Sequence, residues 1–164
     1  MLIALAGLPG VGKSTIARQL ALELGAVWLR IDTIEQAIAD AGFAPGGVEG
    51  GGYLVGYALA EDNLRLGRTV VADSVNPWML TRDAWCDAAR RAGARVVEIE
   101  LICGDAAEHR RRIETRVNDV AGLIPPDWAA VVTRDYRAWT RDHVVIDTAG
   151  EDVAACVARV RASL

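Results

Sequence analysis

Two hydrophobic periods alternate along the chain. Leu2–Ala6 is a short apolar run that ends at a glycine, as expected of a strand buried on both faces. From Lys13 to Leu24 the apolar positions Ile16, Leu20 and Leu24 recur every fourth residue, and Gly25 supplies a stop, so a helix is predicted there. Val27–Ile31 reads as a second strand and Thr33–Ala41 as a second helix. The stretch GFAPGGVEGGG, Gly42–Gly52, is a glycine-dense loop by composition. Tyr53–Leu66 is helical up to Gly67, and Thr69–Asp73 is a third strand. Pro77–Ala92 follows as a helix with Asn76 as its cap and Pro77 at its first position. Arg95–Ile102 is a fourth strand and Asp105–Val117 an arginine-rich helix. After the break at Ile124–Pro126, Asp127–Trp139 reads as another helix, and Val144–Asp147 as a fifth strand. The last helix carries Val153, Val157, Val160 and Leu164 on one stripe. Five strands alternating with helices predict an α/β fold with a parallel sheet covered on both faces. There is no repeat and no linker, so residues 1–164 are expected to form one domain.

Composition changes this picture little. The 164 residues suffice for a full core, and 52 % hydrophobic with 24 % charged residues is ordinary for a globular domain. No apolar run approaches a membrane span, and the apolar start lacks the basic flank of a signal peptide. Cys86, Cys103 and Cys156 are widely spaced and odd in number, which suits reduced thiols in the cytoplasm. A net charge of −4 argues against a long nucleic-acid footprint. Lys13 is the single lysine among 18 basic residues, and it falls where an anion site needs a compact point charge.

That site is the segment Gly7–Ser14, GLPGVGKS, which fits the Walker A template G-x-x-x-x-G-K-[ST] and sits between a predicted strand and a predicted helix. Glycines let successive N–H groups turn inward, and the helix starting at Lys13 adds its positive dipole end. Gly7, Gly10, Val11, Gly12, Lys13, Ser14 and Thr15 are therefore the nucleotide-binding set. Lys13 is expected on the β- and γ-phosphates, Ser14 on Mg²⁺ (magnesium) and Thr15 on the α-phosphate.

Three further places carry candidate chemistry. Asp73 ends an apolar strand beside this loop and can hold a water on the metal. Asp32 ends the second strand in LRIDTIE, where it can accept the proton of an acceptor hydroxyl; the D-T-I-E spacing also suits a helix cap with Glu35 reaching back. In EHRRRIETR, Arg112 and Arg116 share one helix face and can neutralise a transferring phosphoryl group, whereas His109 reads as a surface residue. Thr148, in the turn IDTAG, is placed to lie against an adenine ring.

Taken in order, GLPGVGKST, Asp32, VVADSVN at the third strand, the R-x-x-x-R helix and IDTAG resemble the small P-loop kinases over nearly the whole chain. The likeness is to the predicted AAA-type kinases grouped with the polynucleotide kinase domain, gluconate kinase and chloramphenicol phosphotransferase. The resemblance implies a three-layer P-loop NTPase fold with sheet order 2-3-1-4-5, ATP with Mg²⁺, a helical lid over about 105–139, and an acceptor-side aspartate at Asp32. In polynucleotide kinases an arginine three residues further on grips substrate phosphate; here that position is Glu35.

Absences narrow the reaction. Asp73-Ser74-Val75-Asn76 is no D-x-x-G, and no N-K-x-D follows, which argues against a GTPase switch; the chain is short for an AAA motor with its own lid domain. The expected activity is transfer of phosphate from ATP to a small-molecule hydroxyl by a monomer or homodimer. The alternatives are a polynucleotide 5′-hydroxyl kinase and a nucleotide-binding module without an acceptor. The acceptor is expected between Asp32, the Gly42–Gly52 loop and the helix carrying Tyr53, Tyr57 and Asn63. Glu35 and Glu49 at that mouth favour a neutral or cationic acceptor.

Overall fold

The computed structural model describes residues 1–42 and 50–164. The elements run β1 (Leu2–Ala6), α1 (Lys13–Leu24), β2 (Val27–Arg30), α2 (Ile31–Asp40), α3 (Gly51–Arg65), β3 (Val70–Asp73), α4 (Met79–Arg91), β4 (Val96–Ile102), α5 (Ala106–Thr115), α6 (Trp128–Val132), β5 (Val144–Asp147) and α7 (Val153–Ala162). The strands form one parallel sheet in the order β2-β3-β1-β4-β5. Residues 43–49 of the expected glycine loop, Glu49 included, lie outside the described residues.

Alternation along the strands makes the three layers. Ile3 and Leu5 of β1 join Val71, Ile99, Leu101 and Ile146 under α1 and α7. Leu2 and Ala4 point the other way, into a second core with Leu29, Val70, Ala72 and Trp85. Every residue of β1 is buried, because helices cover both faces of its sheet position. A phosphate loop at the carboxyl end of such a central strand opens into the crevice where strand connections diverge to the two sides.

Helix α3 starts at Gly51, inside the expected glycine loop and ahead of Tyr53. Helix α5 ends at Thr115 rather than Val117, so Arg116 leaves the helix face it was expected to share with Arg112. Three further boundaries shift, each for a tertiary reason. Helix α2 starts at Ile31 rather than Thr33, so Asp32 lies inside its first turn and the anticipated capping box does not form. Glu35 instead packs against α3, whose Gly52 comes so close that an added Cβ would lie 2.2 Å from Glu35 Cγ. Helix α4 starts at Met79, because Asn76 is not a cap. It adopts φ 48° and donates its side-chain amide to the Leu5 carbonyl at 2.8 Å, tying the β3–α4 turn to β1. The helix expected over Asp127–Trp139 stops at Val132. Beyond it the backbone leaves helical hydrogen bonding for Arg82 of α4, which donates to the carbonyls of Asn76 and Arg137 at 2.9 and 2.8 Å and stacks over Trp139. Arg137 N–H in turn donates to the Pro77 carbonyl at 2.8 Å.

The second core has one dominant member. Trp85 is fully buried, with Tyr57 edge-on at 4.7 Å and Gly56 of α3 against its rim. Trp85→Ala is expected to cost ~3–5 kcal/mol of stability, read as a lowered urea midpoint with an unchanged m-value.

Candidate active site

The loop between β1 and α1 is shaped by close approach. At Gly7, φ is 137° and an added Cβ would lie 2.2 Å from the Leu101 carbonyl oxygen; at Gly10, φ is 83° and it would lie 2.5 Å from Ile113 of α5. Neither position admits a side chain. The neighbours brace the loop from both sides. The ring of His109, on α5, is buried and donates from Nε2 to the Pro9 carbonyl at 2.7 Å, with Trp128 edge-on at 5.2 Å. His109 is thus an interior strut and not the surface residue its sequence setting suggested. From the other side the Thr148 hydroxyl lies 3.0 Å from the carbonyl oxygens of Val11 and Ile102.

A cleft of about 800 Å³ runs along this loop and takes in Lys13, Ser14, Thr15, Asp32, Asp73, Arg112, Arg116 and Thr148. Eight residues from distant parts of the chain therefore share one cavity. Gly7 and Val11, expected in the nucleotide-binding set, do not line it: Val11 is buried, and Gly7 lies against the Leu101 carbonyl.

Lys13 is buried, with Nζ 2.9 Å from the Leu8 carbonyl. Burial pushes its ammonium down to about 8, against the attraction of Asp73 and Asp32. Arg134 and Arg116 push it the same way, which places both guanidiniums within electrostatic reach of the lysine. Asp73 is 3 % exposed. Burial pushes its carboxyl up, and Lys13 and the Ser14 hydroxyl oppose that shift. Ser14 and Asp73 together offer a hydroxyl and a carboxylate, which suits Mg²⁺, an ion that keeps waters and borrows phosphate oxygens. Among the described residues no cluster of three or more His, Cys, Asp and Glu forms a cage of its own.

The arginines divide by their partners. Arg112 is committed: Nε donates to Glu108 at 2.8 Å, and Nη1 and Nη2 donate to the Thr148 hydroxyl and carbonyl, both at 2.9 Å. It fastens α5 to the β5–α7 turn. Arg110 and Arg111 pair with Glu114 and Glu108 on the exposed face. Arg116 and Arg134 line the cleft, and among the described residues neither guanidinium has a hydrogen-bond or ion-pair partner. Arg134 carries no motif in the sequence; only the turn of the chain after α6 brings it opposite Lys13. Arg30 and Trp28 were likewise missed, being unremarkable residues of a strand.

On the acceptor side, Asp32 makes no capping hydrogen bond and lines the cleft. Burial, then the charge of Asp32, pushes the Glu35 carboxyl up. Glu35 itself does not line the cleft, so it gives no support to a neutral or cationic acceptor. The Tyr53 hydroxyl accepts from the Asn76 N–H at 3.1 Å, Tyr57 donates to the Thr81 carbonyl at 3.3 Å, and Asn63 donates to the Leu59 carbonyl at 2.8 Å. These three are spent on packing and helix surface.

A backbone cradle on a central parallel strand, with one buried lysine and an acid on the neighbouring strand, defines a P-loop nucleotide-binding fold. Residues 2–122 match the family model described as AAA domain, AAA_33, and the chain belongs to that family. Solved structures agree on the fold. Kti12 of Chaetomium thermophilum in complex with ADP-AlF3 is 23 % identical, with TM-score 0.70 over 99 % of this chain and 96 % of that one. A gluconokinase from Sinorhizobium meliloti is 20 % identical, with TM-score 0.65 over 98 % and 89 %. The APS kinase of Mycobacterium tuberculosis with AMPPNP and APS is 15 % identical, with TM-score 0.64 over 98 % and 95 %. No curated protein matches the chain. No helix among the described residues is long and apolar enough to cross a membrane.

The buried lysine makes ligand binding proton-linked. Its folded pKa of about 8 lies below the ordinary 10.5. Between these values the unfolded chain binds more protons, so the ligand-free protein gains stability as pH rises through that window. Phosphate oxygens restore the charge, so nucleotide binding at about pH 8–9 is expected to take up a proton, while binding at about pH 6 takes up none. Calorimetry in buffers of different ionisation enthalpy measures this. Lys13→Met is expected to abolish both the uptake and ATP turnover.

Proposed function

We propose that the protein is an ATP-dependent phosphotransferase that moves the γ-phosphoryl group to a hydroxyl of a small molecule. The observation that carries this reading is the placement of Asp32. It sits in the first turn of α2, free of a capping role, in one cleft with the phosphate loop and the two unpaired arginines. A nucleotide store needs the loop alone; a carboxylate across from it serves an acceptor. The kinase neighbours named above share the fold and agree with the reading.

The loop N–H groups and Lys13 hold the triphosphate, Lys13 leaving the Leu8 carbonyl for phosphate oxygen. Ser14 and Asp73 would hold Mg²⁺, which draws charge from the β- and γ-phosphate oxygens. Asp32 orients the acceptor hydroxyl and takes its proton as the new O–P bond forms and the bond from the γ-phosphorus to the bridging oxygen of the β-phosphate breaks, with ADP as the leaving group. Arg116 and Arg134 offset the charge on the equatorial oxygens. Arg112 keeps the β5–α7 turn in place, with Thr148 toward the adenine side. Segment 105–139 lines one side of the cleft and, closing on bound substrates, keeps water from competing with the acceptor.

Asp32→Asn is expected to bind Mg-ATP normally and to fail in transfer; labelled ATP with pooled metabolites is the assay. Normal transfer by this variant would remove Asp32 as the base.

Arg116→Ala and Arg134→Ala are expected to lower kcat by on the order of 10³ with a small change in the KM for ATP. Arg112→Ala should act mainly on that KM. Steady-state kinetics on the three variants separates the roles.

A further inference from the structure

The inner face of β2 converges on the metal-side acid. Trp28 and Arg30, two residues apart on one strand, project to the same side, and Arg30 is the register partner of Asp73 on β3. The Trp28 indole N–H donates to Asp73 Oδ2 at 3.3 Å, and Arg30 Nε lies 3.9 Å from the same oxygen. The guanidinium lies 5.8 Å from the Trp28 ring centroid, so the two side chains support each other.

Arg30 is held from outside by the strap between α5 and α6. Its Nη1 and Nη2 donate to the two carboxylate oxygens of Asp119, both at 2.8 Å. The Arg30 side chain is 11 % exposed and that of Asp119 66 %. Among the described residues this is the one ion pair between segment 116–127 and the rest of the chain. The strap is seated nearby on α2: an added Cβ on Gly122 would lie 2.8 Å from Gln36 Nε2. Asn118 knots it internally by donating to the carbonyls of Val120 and Leu123.

We propose that Trp28 and Arg30 are positioning residues that fix the Asp73 carboxylate for the metal of a bound Mg-nucleotide, and that Asp119 makes the seated strap part of that grip. A carboxylate that serves a metal through a water has two rotational choices. An N–H donor and a cation on one oxygen remove one of them, which is how outer partners of metal sites raise affinity. The inference rests on the phosphotransfer reading only in supposing that the nucleotide arrives with Mg²⁺. Its test uses no acceptor, so a failed transfer assay leaves the test intact.

The test is calorimetric titration of a non-hydrolysable ATP analogue, without metal and across a series of Mg²⁺ concentrations. Trp28→Phe keeps the ring and loses the N–H. The Mg²⁺ concentration giving half the metal-dependent tightening is expected to rise about ten- to a hundredfold, with metal-free affinity within about twofold. Asp119→Asn loses the ionic partner of Arg30 at an exposed position where folding is not at risk. It is expected to shift the Mg²⁺ requirement in the same direction by a few-fold, and Asp119→Glu to restore it. A role in packing alone would move both affinities together. Wild-type Mg²⁺ dependence in Trp28→Phe overturns the grip on Asp73. Wild-type dependence in Asp119→Asn overturns the link to the strap, and it also decides the matter if Trp28→Phe does not fold.

Discussion

An anion cradle made of backbone has to hold its shape while the anion is away. N–H groups turned toward one point repel each other, and nothing inside the loop between β1 and α1 offsets that. The compensation comes from packing around it. Gly7 rests on the Leu101 carbonyl and Gly10 on Ile113, while His109 and Thr148 hold the carbonyls of Pro9 and Val11 from opposite sides. These contacts come from β4, α5 and the β5–α7 turn, so elements remote in sequence hold the loop's shape.

The same arrangement sets the electrostatics. Lys13 and Asp73 are both buried at the carboxyl end of the sheet, and burial works against the charge of each. Their mutual attraction offsets part of that cost. The rest remains as a site poised for a ligand of many negative oxygens. Arg116 and Arg134 add unpaired positive charge at the same mouth, which is tolerable because solvent still reaches it. Where charges are fully paired, as in Arg112 with Glu108 and Thr148, the guanidinium acts as a fastener. Partnering thus separates arginines that look alike in a charged run.

Much of this was legible along the chain. The five strands and their order by resemblance agree with the structure, and Lys13, Ser14 and Asp73 share one cleft in it; each reading rests on a local signal: an apolar run, a glycine spacing, an acid at a strand end. Local signals also misled. D-T-I-E has the form of a capping box, yet α2 begins earlier and Glu35 is drawn onto Gly52. Asn76-Pro77 has the form of a helix start, yet Asn76 takes φ 48° where its side-chain nitrogen ties the turn to the buried Leu5 carbonyl, and α4 begins only at Met79. A helical pattern through Trp139 gave way at Val132, because Arg82 supplied partners for the backbone carbonyls that a helix would have used.

What the amino-acid order determined by itself was the set of elements and the cradle, since hydrophobic period and glycine placement act over a few residues. What only the tertiary structure decided was which charges meet. Arg30 and Asp119 are 89 positions apart, and Arg134 reaches the lysine only through the path of the chain after α6. His109 became a buried strut, and Glu35 left the acceptor mouth, for the same reason. Pairing and burial of a polar side chain depend on what the rest of the chain brings within a few ångströms, and no spacing along the sequence encodes that.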